Sequence, residues 1–114
     1  MHDRSASDDQ TLLIGGQIEV DREELSLLLA KYHVRTLSVF GSAARGELTE
    51  GSDIDLLVEF EPNKSPSLGG LVDLSDKLSA LMGGCPVELA TPSILNNPFR
   101  RRSITRDLKM LHAA

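Results

Sequence analysis

The sequence predicts an α/β fold, a small mixed sheet of three to four strands covered by helices. Two observations carry that prediction. Segments with apolar residues at helical spacing alternate with short runs of strand formers, the pattern of a sheet clothed by helices. The 114 residues amount to one domain, and aromatic residues make up only 4% of them, so the core must be aliphatic.

The elements follow in order. Met1 to Gln10 is polar, and residues 1–17 are expected to form a disordered tail before a domain spanning 18–114. In "VDREELSLLLAKY", Asp21 is a helix N-cap, Glu24 completes a capping box, and Val20 with Leu25 forms a hydrophobic staple. Leu25, Leu28, Leu29 and Tyr32 continue at helical spacing. "RTLSVF" from Arg35 to Phe40 reads as a strand and runs into Gly41-Ser42 and a short "AAR" turn stopped by Gly46. "DIDLLVEF" from Asp53 to Phe60 is a second strand. Ile54, Leu56, Val58 and Phe60 take one face; Asp53, Asp55, Leu57 and Glu59 take the other. Leu71, Leu74, Leu78 and Leu81 mark a helix ended by Gly83-Gly84. "PVELA" is a short third strand with Val87 and Leu89 inward and Glu88 on the opposite face. A last helix is predicted over Phe99 to Leu111, with Ile104, Leu108 and Leu111 as its apolar stripe.

Charge is unevenly spread. Residues 100–114 carry +4 and the rest of the chain −9, for a net −5. An acidic body does not suit a general nucleic-acid binder, so no direct nucleic-acid binding is expected. The cluster Arg100, Arg101, Arg102, Arg106 and Lys109 reads either as a solvated helix face or as a contact surface for a partner protein or a nucleotide phosphate. Cys85 is the single cysteine, which fits a reducing cytoplasm. The start has no apolar signal segment, and no apolar run reaches the length of a membrane span.

The chemistry concentrates around Asp53 and Asp55. Two residues apart on a strand, their side chains share a face with Cα atoms about 6–7 Å apart. Their repulsion must be relieved by solvent, a basic side chain or a divalent cation. Such a pair suits Mg²⁺, a hard cation that takes one or two carboxylates together with substrate phosphates. Ten residues upstream, Gly41-Ser42 ends the preceding strand. Glycine lets backbone approach a phosphate, and Ser42 offers a hydroxyl and an N–H at the start of a turn. No G-x-x-x-x-G-K-[ST] string occurs, which excludes a P-loop on this segment. A phosphate corner beside a dicarboxylate points to a metal-bound nucleoside triphosphate. If the third strand lies beside the second, Glu88 joins the aspartates as a general base or further metal ligand.

Gly41-Ser42, the ten-residue spacing and Asp53-Ile54-Asp55 resemble the signature of the DNA polymerase β-like nucleotidyltransferases. The wider text "LSVFGSAARGELTEGSDIDLLVEF" with "VELATP" is similar to the minimal nucleotidyltransferase (MNT) domains. The resemblance implies a polymerase β-like core that binds ATP with Mg²⁺ and transfers a nucleoside monophosphate to an acceptor hydroxyl. It implies Asp53, Asp55 and Glu88 as catalytic and metal-binding residues, and Gly41, Ser42, Arg45 and Ser52 as nucleotide-binding ones. It further implies an antitoxin that adds AMP to a tyrosine of a HEPN-type toxin; the residues leave the assembly, a homo- or hetero-oligomer, open. The alternatives are an inactive antitoxin that neutralises by binding, or a nucleotidyltransferase acting on a small molecule such as an antibiotic. One departure from the family pattern is glutamate where aspartate is common. Glu88 is one methylene longer, which moves its carboxylate by roughly 1–1.5 Å.

Overall fold

The computed structural model describes residues 10–49 and 51–114. A hairpin of β1 (Thr11–Ile14) and β2 (Ile18–Asp21) opens the described chain, followed by α1 (Arg22–Lys31), β3 (Val34–Phe40) and β4 (Ile54–Phe60). Then come α2 (Leu68–Leu81), β5 (Val87–Ala90), a 3₁₀ turn (Pro92–Asn96), α3 (Pro98–Asp107) and β6 (Lys109–Ala113). The four-stranded sheet has the order β5-β4-β3-β6. β3 is antiparallel to both β4 and β6, whereas β4 and β5 are parallel, so the sheet is mixed as expected.

Local chemistry explains the helices. Asp21 Oδ1 accepts from the Glu24 N–H at 3.0 Å and starts α1, and Val20 and Leu25 are both buried beside that cap. Ser67 caps α2 by accepting from the Gly70 N–H, and Gly83 and Gly84, both in the left-handed region, turn the chain away after it. Tyr32 at the end of α1 donates to Asp73 of α2, which also pairs with Lys77 at 3.0 Å, so the two helices are latched at the surface.

Alternation along the strands divides the apolar residues between two layers. Leu37, Val39, Ile54, Leu56 and Val58 face Leu25 and Leu29 of α1 and Leu74, Leu78 and Met82 at α2, forming the main core. On the opposite face Phe40, Leu57 and Ala90 pack against Ile104 of α3, with Ile94 and Leu95 of the 3₁₀ turn beside them. α3 leaves one edge strand and feeds the other, because β5 and β6 lie at opposite edges of the sheet. The 3₁₀ turn and α3 together therefore cross that face, the turn packed against β4 and α3 chiefly against β3.

Two elements differ from the sequence prediction. The expected tail of residues 1–17 has its first nine residues outside those described, but Thr11–Ile14 is strand β1, with Ile14 buried in the main core. The physical reason is the Gly15-Gly16 turn, whose φ values of 62° and 70° let Leu12 and Ile14 fold back against β2. The predicted last helix ends at Asp107 rather than Leu111, and Lys109–Ala113 is strand β6. Ile104, Leu108 and Leu111 fit helical spacing, yet the unpaired edge of β3 captures the last segment through the pairs Val39↔Lys109 and Leu37↔His112. Between them, a bulge at Leu37/Ser38 adjusts the register.

The hairpin is directly testable. Ile14→Ala removes a fully buried side chain and should lower the unfolding free energy by about 2–5 kcal/mol in urea titrations. An unchanged midpoint would place this segment outside the folded unit.

Candidate active site

The carboxylates lie on the sheet face covered by α3, just beyond its apolar half. Asp55 and Leu57 share a face of β4, and Glu88 and Ala90 share the same face of β5. Leu57 and Ala90 belong to the cluster around Ile104, and Asp55 and Glu88 lie one step further along the same face, Asp55 half-buried and Glu88 exposed. Asp53 immediately precedes β4 and is exposed.

Register brings the three together. Asp55 pairs with Phe40 of β3 on one side and with Glu88 of β5 on the other. Adjacent strands are about 4.8 Å apart, so Glu88 stands next to Asp55 across the parallel pair, which meets the condition on which it joins the aspartates. Burial pushes the Asp55 carboxyl above its usual range, and the charges of Glu88 and then Asp53 add to it against a lowering by Arg100. Repulsion is thus built into this end of the sheet, and a cation arriving there relieves it.

Gly41 follows β3 directly, with φ 74°. A Cβ there would stand 2.5 Å from Asp55 Oδ2, so a side chain would meet a strained backbone and displace the Asp55 carboxylate. The next residues wind into one tight turn. The N–H groups of Ala44 and Arg45 both donate to the Gly41 carbonyl, and the Glu47 N–H donates to the Ser42 carbonyl at 2.8 Å. Buried Ala43 and Ala44 anchor this turn in the main core. Gly41 and Ser42 are therefore held rigidly beside the carboxylates.

Two residues expected at the nucleotide are engaged in local structure. Arg45 donates through Nε to Glu47 at 2.8 Å and through Nη1 to Asp107 at 2.6 Å, which ties the turn to the end of α3. The Asp107 side chain is only 7% exposed, so this ion pair is sheltered at one end. Ser52 Oγ accepts from the Thr49 N–H and lies 2.8 Å from Thr49 Oγ1, bracing the turn that delivers Asp53. Arg100, from the cluster that the sequence offered as a solvated face or as a partner or phosphate contact, opposes the upward shift of Asp55. The crossing path of α3 was not visible in the sequence.

The donor set fits Mg²⁺. Asp53, Asp55 and Glu88 supply hard oxygen donors only, at a point where negative charge is unrelieved. Among the described residues no group of three His, Cys, Asp or Glu side chains forms a ready-made cage. Mg²⁺ commonly uses one or two carboxylates and completes its shell with phosphate oxygens and water, so an open dicarboxylate suits a cation that arrives with a phosphate.

Comparison with known proteins agrees with this geometry. The family description "nucleotidyltransferase domain" matches residues 22–111. A Methanocaldococcus jannaschii protein named as a protein adenylyltransferase is 41% identical over 90 residues, covering 79% of this chain and 89% of the relative. The protein adenylyltransferase MntA of Thermococcus cleftensis is 46% identical over 56 residues, covering 49% of this chain and 54% of that protein. Among solved structures, a minimal nucleotidyltransferase aligns with TM-score 0.63 at 34% identity, covering 79% of this chain and 88% of that one. A chain of a toxin-antitoxin crystal structure with AMP-PNP aligns with TM-score 0.61 at 20% identity, covering 81% of this chain and 73% of that one, and shares the fold.

Two variants test the geometry. Because its folded-state pKa lies above the ordinary 3.8, Asp55 adds stability below pH 3.8 that is lost as pH rises through the raised value. Asp55→Asn should therefore raise the metal-free Tm by a few degrees at pH 7 and leave it unchanged below pH 3.8. Gly41→Ala should cost about 1–3 kcal/mol by denaturant unfolding from its left-handed backbone alone, and Asp55→Asn should not rescue that part.

Proposed function

We propose that this chain, which belongs to the nucleotidyltransferase domain family, is an antitoxin that transfers AMP from ATP to a tyrosine hydroxyl of a HEPN-type toxin. The observation that carries the proposal is the single rung Phe40–Asp55–Glu88, with Gly41 packed against Asp55. It sets a phosphate-approaching corner and three carboxylates at one sheet end. The names of the relatives support protein as the acceptor.

In the proposed reaction, the turn at Gly41-Ser42 receives the phosphates through backbone N–H groups and the Ser42 hydroxyl. Asp53 and Asp55 hold Mg²⁺, which when bound neutralises phosphate charge and polarises the P–O bonds. Glu88 takes the proton of the acceptor hydroxyl as its oxygen bonds to the α-phosphorus. The bond from that phosphorus to the bridging oxygen breaks, and pyrophosphate leaves with the electron pair. Arg45 and Ser52 act by holding the turn and the approach to Asp53. The active-site carboxylates lie on an open sheet end, so a folded acceptor supplies the missing wall of the cleft.

Incubation with α-labelled ATP, Mg²⁺ and the toxin encoded beside it should label the toxin, with mass spectrometry placing AMP on tyrosine. Asp53→Ala and Asp55→Ala should each reduce labelling by about 10²-fold or more. Neutralisation of the toxin without label transfer would favour an antitoxin that works by binding alone.

A further inference from the structure

The proposed phosphate corner is a loop, so its shape depends on what packs against it. The turn that begins at Gly41 is closed by its own backbone. The Gly46 N–H donates to the Ala43 carbonyl at 3.3 Å, and the Glu47 N–H donates to the Ser42 carbonyl at 2.8 Å. Ala43 and Ala44 are buried in the main core, which gives the turn one support. A second support comes from the β1–β2 hairpin, which precedes the matched family region at residues 22–111.

Gly15 and Gly16 form the hairpin turn, both in the left-handed region. They differ in their surroundings. A Cβ on Gly15 would stand 2.8 Å from the Ala43 carbonyl oxygen and 3.3 Å from Leu48 Cδ1, whereas a Cβ on Gly16 would meet nothing within 4 Å. The approach is reciprocal, since a Cβ on Gly46 would lie 3.8 Å from the Gly15 carbonyl oxygen. Backbone thus lies against backbone, and the oxygen approached is the one that closes the turn. It cannot swing aside as the end of a side chain can. Further along the hairpin, Gln17 and Ile18 line a cavity of about 310 Å³ together with Thr49, Gly51 and Ser52 of the turn that delivers Asp53. The hairpin turn therefore borders both loops of the site.

We propose that Gly15 is a positioning residue for nucleotide binding. Its missing side chain lets the hairpin seat the Ala43 carbonyl, and this sets where the N–H groups at Gly41-Ser42 meet the phosphates. The assignment rests on the phosphate role proposed above for that corner. Gly15 touches no phosphate and acts through the turn. With a Cβ at position 15, the Ala43 oxygen must retreat from 2.8 Å toward the 3.4 Å of ordinary contact, and the turn moves with it. A displacement of about 1 Å costs a reacting geometry about 10²-fold, so one of about half that size costs about tenfold.

Paired glycine variants of the full chain separate this role from folding. Gly15→Ala and Gly16→Ala both place alanine in the left-handed region, so each should lower Tm by at least a few degrees. In calorimetric titration with Mg²⁺ and a non-hydrolysable ATP analogue, Gly15→Ala should bind about tenfold more weakly and Gly16→Ala within about twofold of wild type. In amide NMR spectra without nucleotide, Gly15→Ala should shift the Gly46 signal, whose acceptor is the Ala43 carbonyl, far more than Gly16→Ala does. Asparagine tolerates the left-handed region but keeps a Cβ, so Gly15→Asn should recover part of the Tm without recovering binding. Equal analogue binding by the two alanine variants, wild-type binding by Gly15→Asn, or an unmoved Gly46 amide in Gly15→Ala overturns the assignment to Gly15. Failure of wild type to bind the analogue overturns the nucleotide reading of the corner, and the assignment falls with it.

Discussion

One rung of the central sheet, Phe40–Asp55–Glu88, governs the rest of the molecule's chemistry. Its middle residue is a carboxylate wedged between the end of β3 and the start of β5. A Cβ on the glycine after Phe40 would stand 2.5 Å from Asp55 Oδ2 and require that carboxylate to shift. The nearness of Asp55, the Gly41-Ser42 turn and Glu88 is therefore the product of the pairing register of β4 with its two neighbours. Shifting β4 by one residue would send Asp55 to the face covered by α1 and α2 and bring Ile54 out beside Gly41.

That rung costs stability, and the structure offsets the cost nearby. Burial of the Asp55 carboxylate, and after it the charges of Glu88 and Asp53, oppose folding, as its upward shift records. β4 itself supplies Leu56 and Leu57 to two separate apolar clusters, so the end carrying Asp55 is held by packing immediately behind it. α3 acts as a strap across one face, seated by Ile104 and tied at its end by the Asp107–Arg45 ion pair. Its basic residues counter the acidic body where the carboxylates emerge. An unstable active site held by a well-packed frame is the usual compromise between stability and activity.

Much of this was legible from residue order. Asp21 and Glu24 announced α1, Gly83-Gly84 announced the end of α2, and the alternation in "DIDLLVEF" placed Asp53 and Asp55 on one face. Three features were not. Leu108 and Leu111 fit a helix as well as a strand, and only the open edge of β3 decided between them. The hairpin carried a Gly-Gly turn, but its strands are four residues each, too short to stand out beside a polar start. Arg45 beside the corner invited a phosphate role, while its partner Asp107 is 62 residues away in sequence.

By itself, the sequence determined the local geometry: caps, turns and the face on which each strand residue points, because these depend on neighbours within a few positions. The spacing from Gly41-Ser42 to Asp53 and Asp55 belongs with them, since a hairpin-like return of β4 along β3 brings the two ends together. Tertiary structure alone decided that β5 lies against β4 in the register that sets Glu88 beside Asp55, and that β6 closes the far edge. It also decided that Arg45 serves structure, through its ion pair with Asp107 at the end of α3. Those choices depend on strand order and on the path of a helix across the sheet, and no short stretch of residues encodes either.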